Sequence, residues 1–122
     1  MGLYAVLANF VPSNAGKAQD GPWLIWGIGN TKCATYTEVL SSTDQQAATR
    51  LKDGVFIWAT GFMSGMNLLS EEAEIKDLSD ESVSREALEA RILGQCYETP
   101  SDDLVKVIAT IYGRIPLGKL SD

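Results

Sequence analysis

Few residues of the types that do chemistry occur in this chain. Among its 122 residues there are two cysteines, Cys33 and Cys96, and no histidine. A Ser-His or Cys-His nucleophile pair, a histidine general base and a histidine metal ligand are therefore excluded. Two thiols do not make a structural zinc site, which needs four ligands, and we expect no metal or other cofactor. The two cysteines therefore either form a disulfide or stay as two buried thiols. If the protein is exported to an oxidising compartment, the disulfide is favoured.

Carboxylates are the remaining acid-base groups, and the chain has 16 Asp and Glu residues. A carboxylate-pair hydrolase would need two of them roughly 5 to 9.5 Å apart in a cleft. No spacing in the sequence singles out such a pair. We therefore expect a non-catalytic protein and keep the hydrolase as the alternative from another class.

The charge and length narrow the class of protein. The formal net charge is -6, and residues 71–122 hold twelve acidic and six basic residues, whereas residues 1–70 hold four of each. An acidic chain without a basic cluster lacks the groups that supply nucleic-acid affinity, so no nucleic-acid partner is expected. No apolar run reaches the roughly 18 residues of a membrane-spanning helix. The length predicts one domain.

The N-terminal residues have features of a secretory signal. Residues 3–11 form an apolar run, and the small residues 13–15 follow it, although no Lys or Arg precedes Lys17. Residues 1–15 are either a signal-peptide remnant or an N-terminal arm, and residues 16–122 are the predicted helical domain. The first alternative predicts a periplasmic or secreted protein.

The segments that must position the cysteines are predicted to be helices. Residues 21–30 read as a short extended segment, after which Asn30 or Thr31 could cap a first helix with an inward face of Cys33, Tyr36 and Leu40. Ser82 or Ser84 opens a third helix, with the inward face Leu88, Ile92 and Cys96. Both sulfur atoms would then point inward, so the two helices could be linked face to face.

The fourth helix follows Pro100 and is capped within residues 101–103. Its inward residues are Leu104, Ile108, Ile111 and Ile115, and it ends near Gly113 and Pro116. Between the second and third helices, the acidic residues 70–82 predict a loop with one helical turn around Ile75 and Leu78.

The second helix has the strongest periodicity in the chain. Thr43 to Gln46 has the spacing of a capping box. The apolar stripe that follows consists of Leu51, Val55, Trp58, Phe62, Met66 and Leu69. Gly54, Gly61 and Gly65 lie on a second face, and each costs about 1 kcal/mol relative to alanine inside a helix. They predict either a close helix crossing or a groove for a partner.

The sequence thus predicts an all-α fold: a small four-helix bundle with a short extended N-terminal segment and one disulfide from Cys33 to Cys96.

Three groups of residues carry a resemblance to known proteins. They are Gly27, Gly29 and Cys33; then Trp58, Gly61, Phe62, Ser64, Gly65 and Asn67; then Cys96 and Pro100. In this pattern the chain resembles small exported two-cysteine helical proteins of bacteria, whose roles are mostly unassigned. More distantly it is similar to the HdeA-type acid-stress chaperones of the periplasm and to the immunity proteins that neutralise type VI amidases. The HdeA resemblance implies a dimer of disulfide-stapled chains that loosens at low pH and exposes apolar surface.

These observations predict a protein-binding module of the periplasm or exterior that is HdeA-like, hence chaperone-like or related to stress. An immunity protein or inhibitor that blocks a partner enzyme is the alternative. The expected partner is another protein, a second copy of this chain included. The predicted partner-binding or helix-crossing surface consists of Trp58, Gly61, Phe62, Met63, Gly65 and Met66.

Overall fold

The computed structural model describes residues 27–118 as an all-helical bundle. Its four helices are α1 (Cys33–Leu40), α2 (Gln45–Leu69), α3 (Arg85–Glu98) and α4 (Leu104–Gly113). Short 3-10 turns lie at Gly27–Asn30, Glu72–Glu74 and Glu81–Val83, and residues 27–118 contain no β-strand beyond isolated bridges. The predicted all-α fold with four helices is confirmed. The predictions for residues 1–15, and for residues 21–26 of the extended segment, lie outside the described residues, and residues 27–30 form a 3-10 turn instead.

The core lies where all four helices meet. Cys33 and Tyr36 of α1, Leu88, Ile92 and Cys96 of α3, and Leu104, Ile108, Ile111 and Ile115 in and after α4 are buried as predicted. On α2 the predicted stripe is confirmed in part: Val55 is buried and Leu51, Trp58 and Phe62 pack partly buried against the core, whereas Met66 and Leu69 are exposed. The fully buried face of α2 consists of Val55, Ala59 and Met63. The small Ala59 lies at the centre of this buried face.

The disulfide joins α1 to α3 inside the core. Both cysteines are fully buried, their Cα atoms are 4.8 Å apart, and 63 positions separate them in the sequence. A loop of that length gives roughly 4 kcal/mol of stabilisation in the chain-entropy model. The predicted pairing of Cys33 with Cys96 is confirmed.

The helix ends explain how the chain turns between elements. At α2 the N-cap is Asp44, whose carboxylate accepts a hydrogen bond from the N–H of Ala47 at 3.0 Å, so the predicted Thr43 capping box is wrong. An alanine at the third position after the cap cannot return the hydrogen bond. At α3 the Ser84 hydroxyl accepts from the N–H of Ala87 at 3.3 Å, as one of the two predicted caps.

The start of α1 is capped by backbone from elsewhere in the chain, not by Asn30 or Thr31. The N–H groups of Cys33 and Ala34 donate to the carbonyls of Asp102 and Pro100 at 2.8 and 2.9 Å. In return the N–H of Leu104, the first residue of α4, donates to the carbonyl of Thr31 at 2.8 Å. The backbone N–H groups at the start of α1 thus bond to carbonyls of the segment before α4, and the first N–H of α4 bonds to a carbonyl before α1, close to the disulfide.

Asn67, near the end of α2, fixes the acidic segment that follows. Its amide nitrogen donates to the carbonyl of Lys76 at 3.0 Å, and its oxygen accepts from the N–H of Lys76 at 2.9 Å and from the Tyr112 hydroxyl at 2.6 Å. The N–H of Asp77 donates to the carbonyl of Pro116 at 2.8 Å, and the N–H of Gly118 donates to the carbonyl of Ile75 at 2.7 Å. The helical turn predicted around Ile75 and Leu78 is wrong: Ile75 is extended, Leu78 lies in a turn closed by the N–H of Asp80 on the carbonyl of Asp77 at 3.1 Å, and the 3-10 turns lie on either side.

Candidate protein-binding surface

The structure divides the predicted surface residues of α2 among different environments. Met63 is fully buried and belongs to the core, which fits the helix-crossing alternative and not the partner-binding one. Trp58 and Phe62 are half-buried, whereas Met66 is 37% exposed. The predicted set therefore does not form one continuous surface.

The two aromatic side chains pack against each other and against the start of the described chain. The rings of Trp58 and Phe62 are stacked, with centroids 5.4 Å apart and an interplanar angle of 11°. The Trp58 ring covers Gly29 so closely that a Cβ at that position would overlap it. The packing explains why glycine occupies position 29, and it leaves only part of each ring accessible to a partner.

Gly61 and Gly65 face open space. A Cβ built at either position meets no atom within 4 Å among residues 27–118, so no helix of the described bundle crosses α2 there. Gly54 differs, because a Cβ there would lie 2.6 Å from Cδ1 of Ile28. Among residues 27–118, the predicted close approach is therefore found at Gly54 alone, and at Gly61 and Gly65 these residues fit the other alternative, a surface open to a partner.

The two open glycines belong to an exposed apolar face that the sequence analysis missed. Helical spacing of three, four and seven residues places Ile57, Gly61, Ser64, Gly65 and Leu68 on the side of α2 opposite Val55, Ala59 and Met63. Ile57 is 68% exposed and Leu68 is 86% exposed. We call these five residues the α2 outer face.

Polar groups on and beside the α2 outer face are directed toward the helix itself. The Ser64 hydroxyl donates to the carbonyl of Thr60 at 2.7 Å, and the Thr60 hydroxyl donates to the carbonyl of Ile57 at 3.0 Å. Residues 54–70 include no Asp, Glu, Lys or Arg. The face therefore presents mainly methyl, methylene and backbone groups.

Charged groups border this face at its N-terminal end. Arg85 of α3 forms ion pairs with Asp53 and, at 2.9 Å, with Glu89, and its guanidinium lies 5.1 Å from the centroid of the Phe56 ring. Hydrogen bonds to the Asp53 and Glu89 carboxylates raise the pKa of Arg85. These contacts tie α3 to the flank of α2 and leave the outer face itself uncovered by the described residues.

Three further observations concern metal-binding groups, membrane-spanning helices and the buried Tyr36 among the described residues. Residues 27–118 contain no group of three or more His, Cys, Asp or Glu side chains that could hold a metal ion. No helix of this part of the chain is long and apolar enough to cross a membrane. The Tyr36 phenol is fully buried, its hydroxyl has no hydrogen-bond partner in the described part of the chain, and burial together with the charge of Glu89 raises its pKa to about 12.

Fold and surface together define a small disulfide-bonded helical bundle with one exposed, uncharged helix face. No protein-family model matches the chain, and no curated protein or solved structure is significantly similar to it. The resemblances drawn from the sequence motifs stay predictions.

Proposed function

We propose that this protein is a non-catalytic, chaperone-like binding module that holds apolar segments of other proteins on the α2 outer face. The exposed Ile57 and Leu68, separated by two glycines with open space above them, are the observation that carries the proposal. An apolar segment of a partner could approach the backbone of α2 at the glycines and pack between the two larger side chains.

The charge distribution supports an unfolded or partly unfolded polypeptide as the partner. The protein has a net charge of -6, yet residues 54–70 are uncharged, so an apolar segment meets no unpaired charge on this face. Exposed apolar patches on a soluble domain commonly mark sites of interaction with other proteins. At low pH the carboxylates lose their charge, and the ten Lys and Arg residues would then keep the complex in solution.

The compartment proposed is the periplasm or the exterior of the cell. The fully buried Cys33–Cys96 disulfide supports this proposal, because disulfides persist in oxidising compartments and are rare in the cytosol.

Low pH is the proposed trigger for stronger binding, as the HdeA resemblance implies. The ion pair of Lys32 with Asp103 joins the start of α1 to the start of α4, and the ion pair of Lys106 with Asp102 lies within the start of α4. Such attraction requires an ionised carboxylate, so acid weakens these contacts. Hydrogen bonds from Ser82 lower the pKa of Asp80, so the folded state binds this proton less tightly than the unfolded state. The contribution of Asp80 to stability is therefore present above its unfolded pKa and is lost as the pH falls through its folded pKa.

The experiment is an aggregation assay with a model client protein unfolded at low pH and followed by light scattering. Wild-type protein should suppress the scattering, and the double variant Ile57→Lys, Leu68→Lys should suppress it much less, because lysine keeps its charge at low pH. Tyr97→Lys is the matched control, since Tyr97 is 62% exposed on α3 and lies outside the face. Circular dichroism checks that all variants are folded.

Equal protection by the wild type and the double variant would overturn the assignment of the face, and absence of protection at every pH would overturn the chaperone-like function. The inhibitor alternative predicts a different result: affinity capture would return one enzyme in a fixed ratio, and its activity would fall on binding. If near-UV circular dichroism and dye binding stayed constant down to pH 2, the acid trigger would be ruled out, but the binding function would not.

A further inference from the structure

A concave region lies between α1 and α2, toward the N-terminal end of α2. The cleft has a volume of about 490 Å³, which is within the range of ligand-binding pockets. Its lining includes Ile28, Thr31, Thr35, Val39, Arg50 and Leu51. It lies beyond the N-terminal end of the α2 outer face, since Arg50 precedes Ile57 by two helical turns, or about 10 Å along the helix.

Arg50 is the only charged residue in the lining of the cleft. In the described part of the chain its guanidinium forms no ion pair, whereas Lys32, Arg85 and Lys106 each pair with a carboxylate. Like Arg91 and Arg114, which also form no ion pair among the described residues, Arg50 is exposed and presents a free guanidinium. It is a donor group suited to bidentate binding of a carboxylate.

The rest of the lining is apolar apart from two hydroxyl groups. Ile28, Val39 and Leu51 supply the hydrocarbon surface, and Thr31 and Thr35 supply the hydroxyls. Gly54 lies one turn after Leu51, and the absence of its side chain allows Ile28 to pack against α2 at the end of the cleft. The cleft therefore combines apolar surface with a single cationic group.

We infer that this cleft binds the C-terminal residue of a polypeptide when that residue is apolar, with the terminal carboxylate on Arg50 and the side chain against Ile28, Val39 and Leu51. The threonine hydroxyls are placed to hydrogen bond the last peptide group. The α2 part of the lining spans Ala47 to Leu51, little more than one helical turn, and this length suits one side chain better than a long acyl chain.

The site is tested by fluorescence anisotropy with the full chain and two labelled peptides. Both end in Leu-Val, one with a free carboxylate and the other with a C-terminal amide. The free acid should bind about tenfold or more tightly than the amide, because the amide removes a charge-assisted, bidentate interaction. Arg50→Gln should weaken binding of the free acid by a similar factor and leave binding of the amide unchanged.

Lys52→Gln is the matched control, since it removes the same charge two residues away, where the side chain faces a different groove between α2 and α3. It should bind both peptides as the wild type does. A second variant, Thr35→Val, keeps the side-chain shape and should weaken both peptides by a smaller factor. Thermal unfolding of each variant separates loss of binding from loss of fold.

Equal affinity for the two peptides, or no effect of Arg50→Gln, would overturn the inference. Decanoate is a further probe: if it binds in an Arg50-dependent manner while the free-acid peptide does not bind, the site takes a fatty carboxylate and the polypeptide assignment is wrong. Because client protection is assigned to the α2 outer face, Arg50→Gln should protect clients normally, so the two proposals can fail separately.

Discussion

The buried phenol of Tyr36 gives a prediction of how stability changes with pH. Tyr36 is fully buried, its hydroxyl has no partner among residues 27–118, and its pKa is raised from 10.0 to about 12. Burial is the larger cause and the negative charge of Glu89 is the smaller. Both oppose the ionised form, so the folded state holds this proton more tightly than the unfolded state.

The raised pKa sets both the direction and the size of the effect. Stability that depends on the protonated phenol is fully present below about pH 10 and is lost as the pH rises toward the folded pKa. At 1.36 kcal/mol per pKa unit, the loss specific to Tyr36 is about 2 kcal/mol by pH 12 and approaches about 3 kcal/mol above it. Tyr36→Phe lacks the group and should not show this loss.

The assay is urea unfolding followed by far-UV circular dichroism at several values between pH 7 and 12. At pH 7, Tyr36→Phe should be as stable as the wild type or slightly more stable, because it removes a buried hydroxyl without a hydrogen-bond partner. At pH 12 it should exceed the wild type by a further 2 kcal/mol or so. Glu89→Gln should reduce the alkaline loss by a smaller amount.

The control is Tyr97→Phe, whose side chain is 62% exposed and therefore meets water in both the folded and the unfolded states. Its stability should follow the wild type across the whole pH range. Parallel curves for Tyr36→Phe and the wild type would refute the reasoning, since the phenol would then be solvated or hydrogen bonded in the folded protein.

Three further predictions concern α2 and its neighbours. Gly61→Ala should stabilise the protein by about 0.5 to 1 kcal/mol in urea unfolding, because alanine is the better helix former and its Cβ meets no described atom within 4 Å; a loss of stability would mean that another part of the chain, or a second copy, covers this position. Gly29→Ala should destabilise it and raise the accessibility of Trp58 to a fluorescence quencher, because the new Cβ displaces the ring. Asn67→Ala should lower the free energy of unfolding by about 2 to 3 kcal/mol, roughly 1 kcal/mol for each of its three hydrogen bonds. Asn67→Asp keeps both acceptor roles and should lower it by less. Unchanged hydrogen exchange at the Lys76 amide in Asn67→Ala would contradict this account.

The sequence was most informative where polar residues marked the outside of a helix. On α3 the buried residues Leu88, Ile92 and Cys96 alternate with Arg and Glu side chains, so only one apolar stripe is available and it is the one that is buried. The same contrast identified Cys96 as inward-facing and allowed the disulfide to be predicted.

On α2 that contrast is missing. Residues 54–70 contain no charged side chain, so two overlapping stripes have helical spacing, and only the packing of the other helices decides between them. The apolar stripe predicted from the sequence contains Trp58 and Phe62 but not Ala59, although a small residue allows the closest approach. The two aromatic side chains pack partly buried at the edge of the core, and the Trp58 ring covers Gly29.

The same ambiguity affected the candidate site. Glycine spacing is compatible with a crossing helix and with an open face, and the two alternatives differ only in what lies opposite, which local sequence does not encode. Ile57 and Leu68 share the helical face of Gly61, and this periodicity was the available signal for the α2 outer face. The cleft between α1 and α2 had no such signal, because its lining comes from two helices and the preceding turn.

The disulfide also determines how the bundle would respond to mechanical tension. A pull on the backbone before Cys33 and after Cys96 passes through the sulfur–sulfur bond and bypasses residues 34–95, which include all of α2. Traction would peel away the Gly27–Asn30 turn and α4 first, while the enclosed helix bears no load. The face proposed to hold clients would therefore keep its shape while the segments outside the loop are stretched.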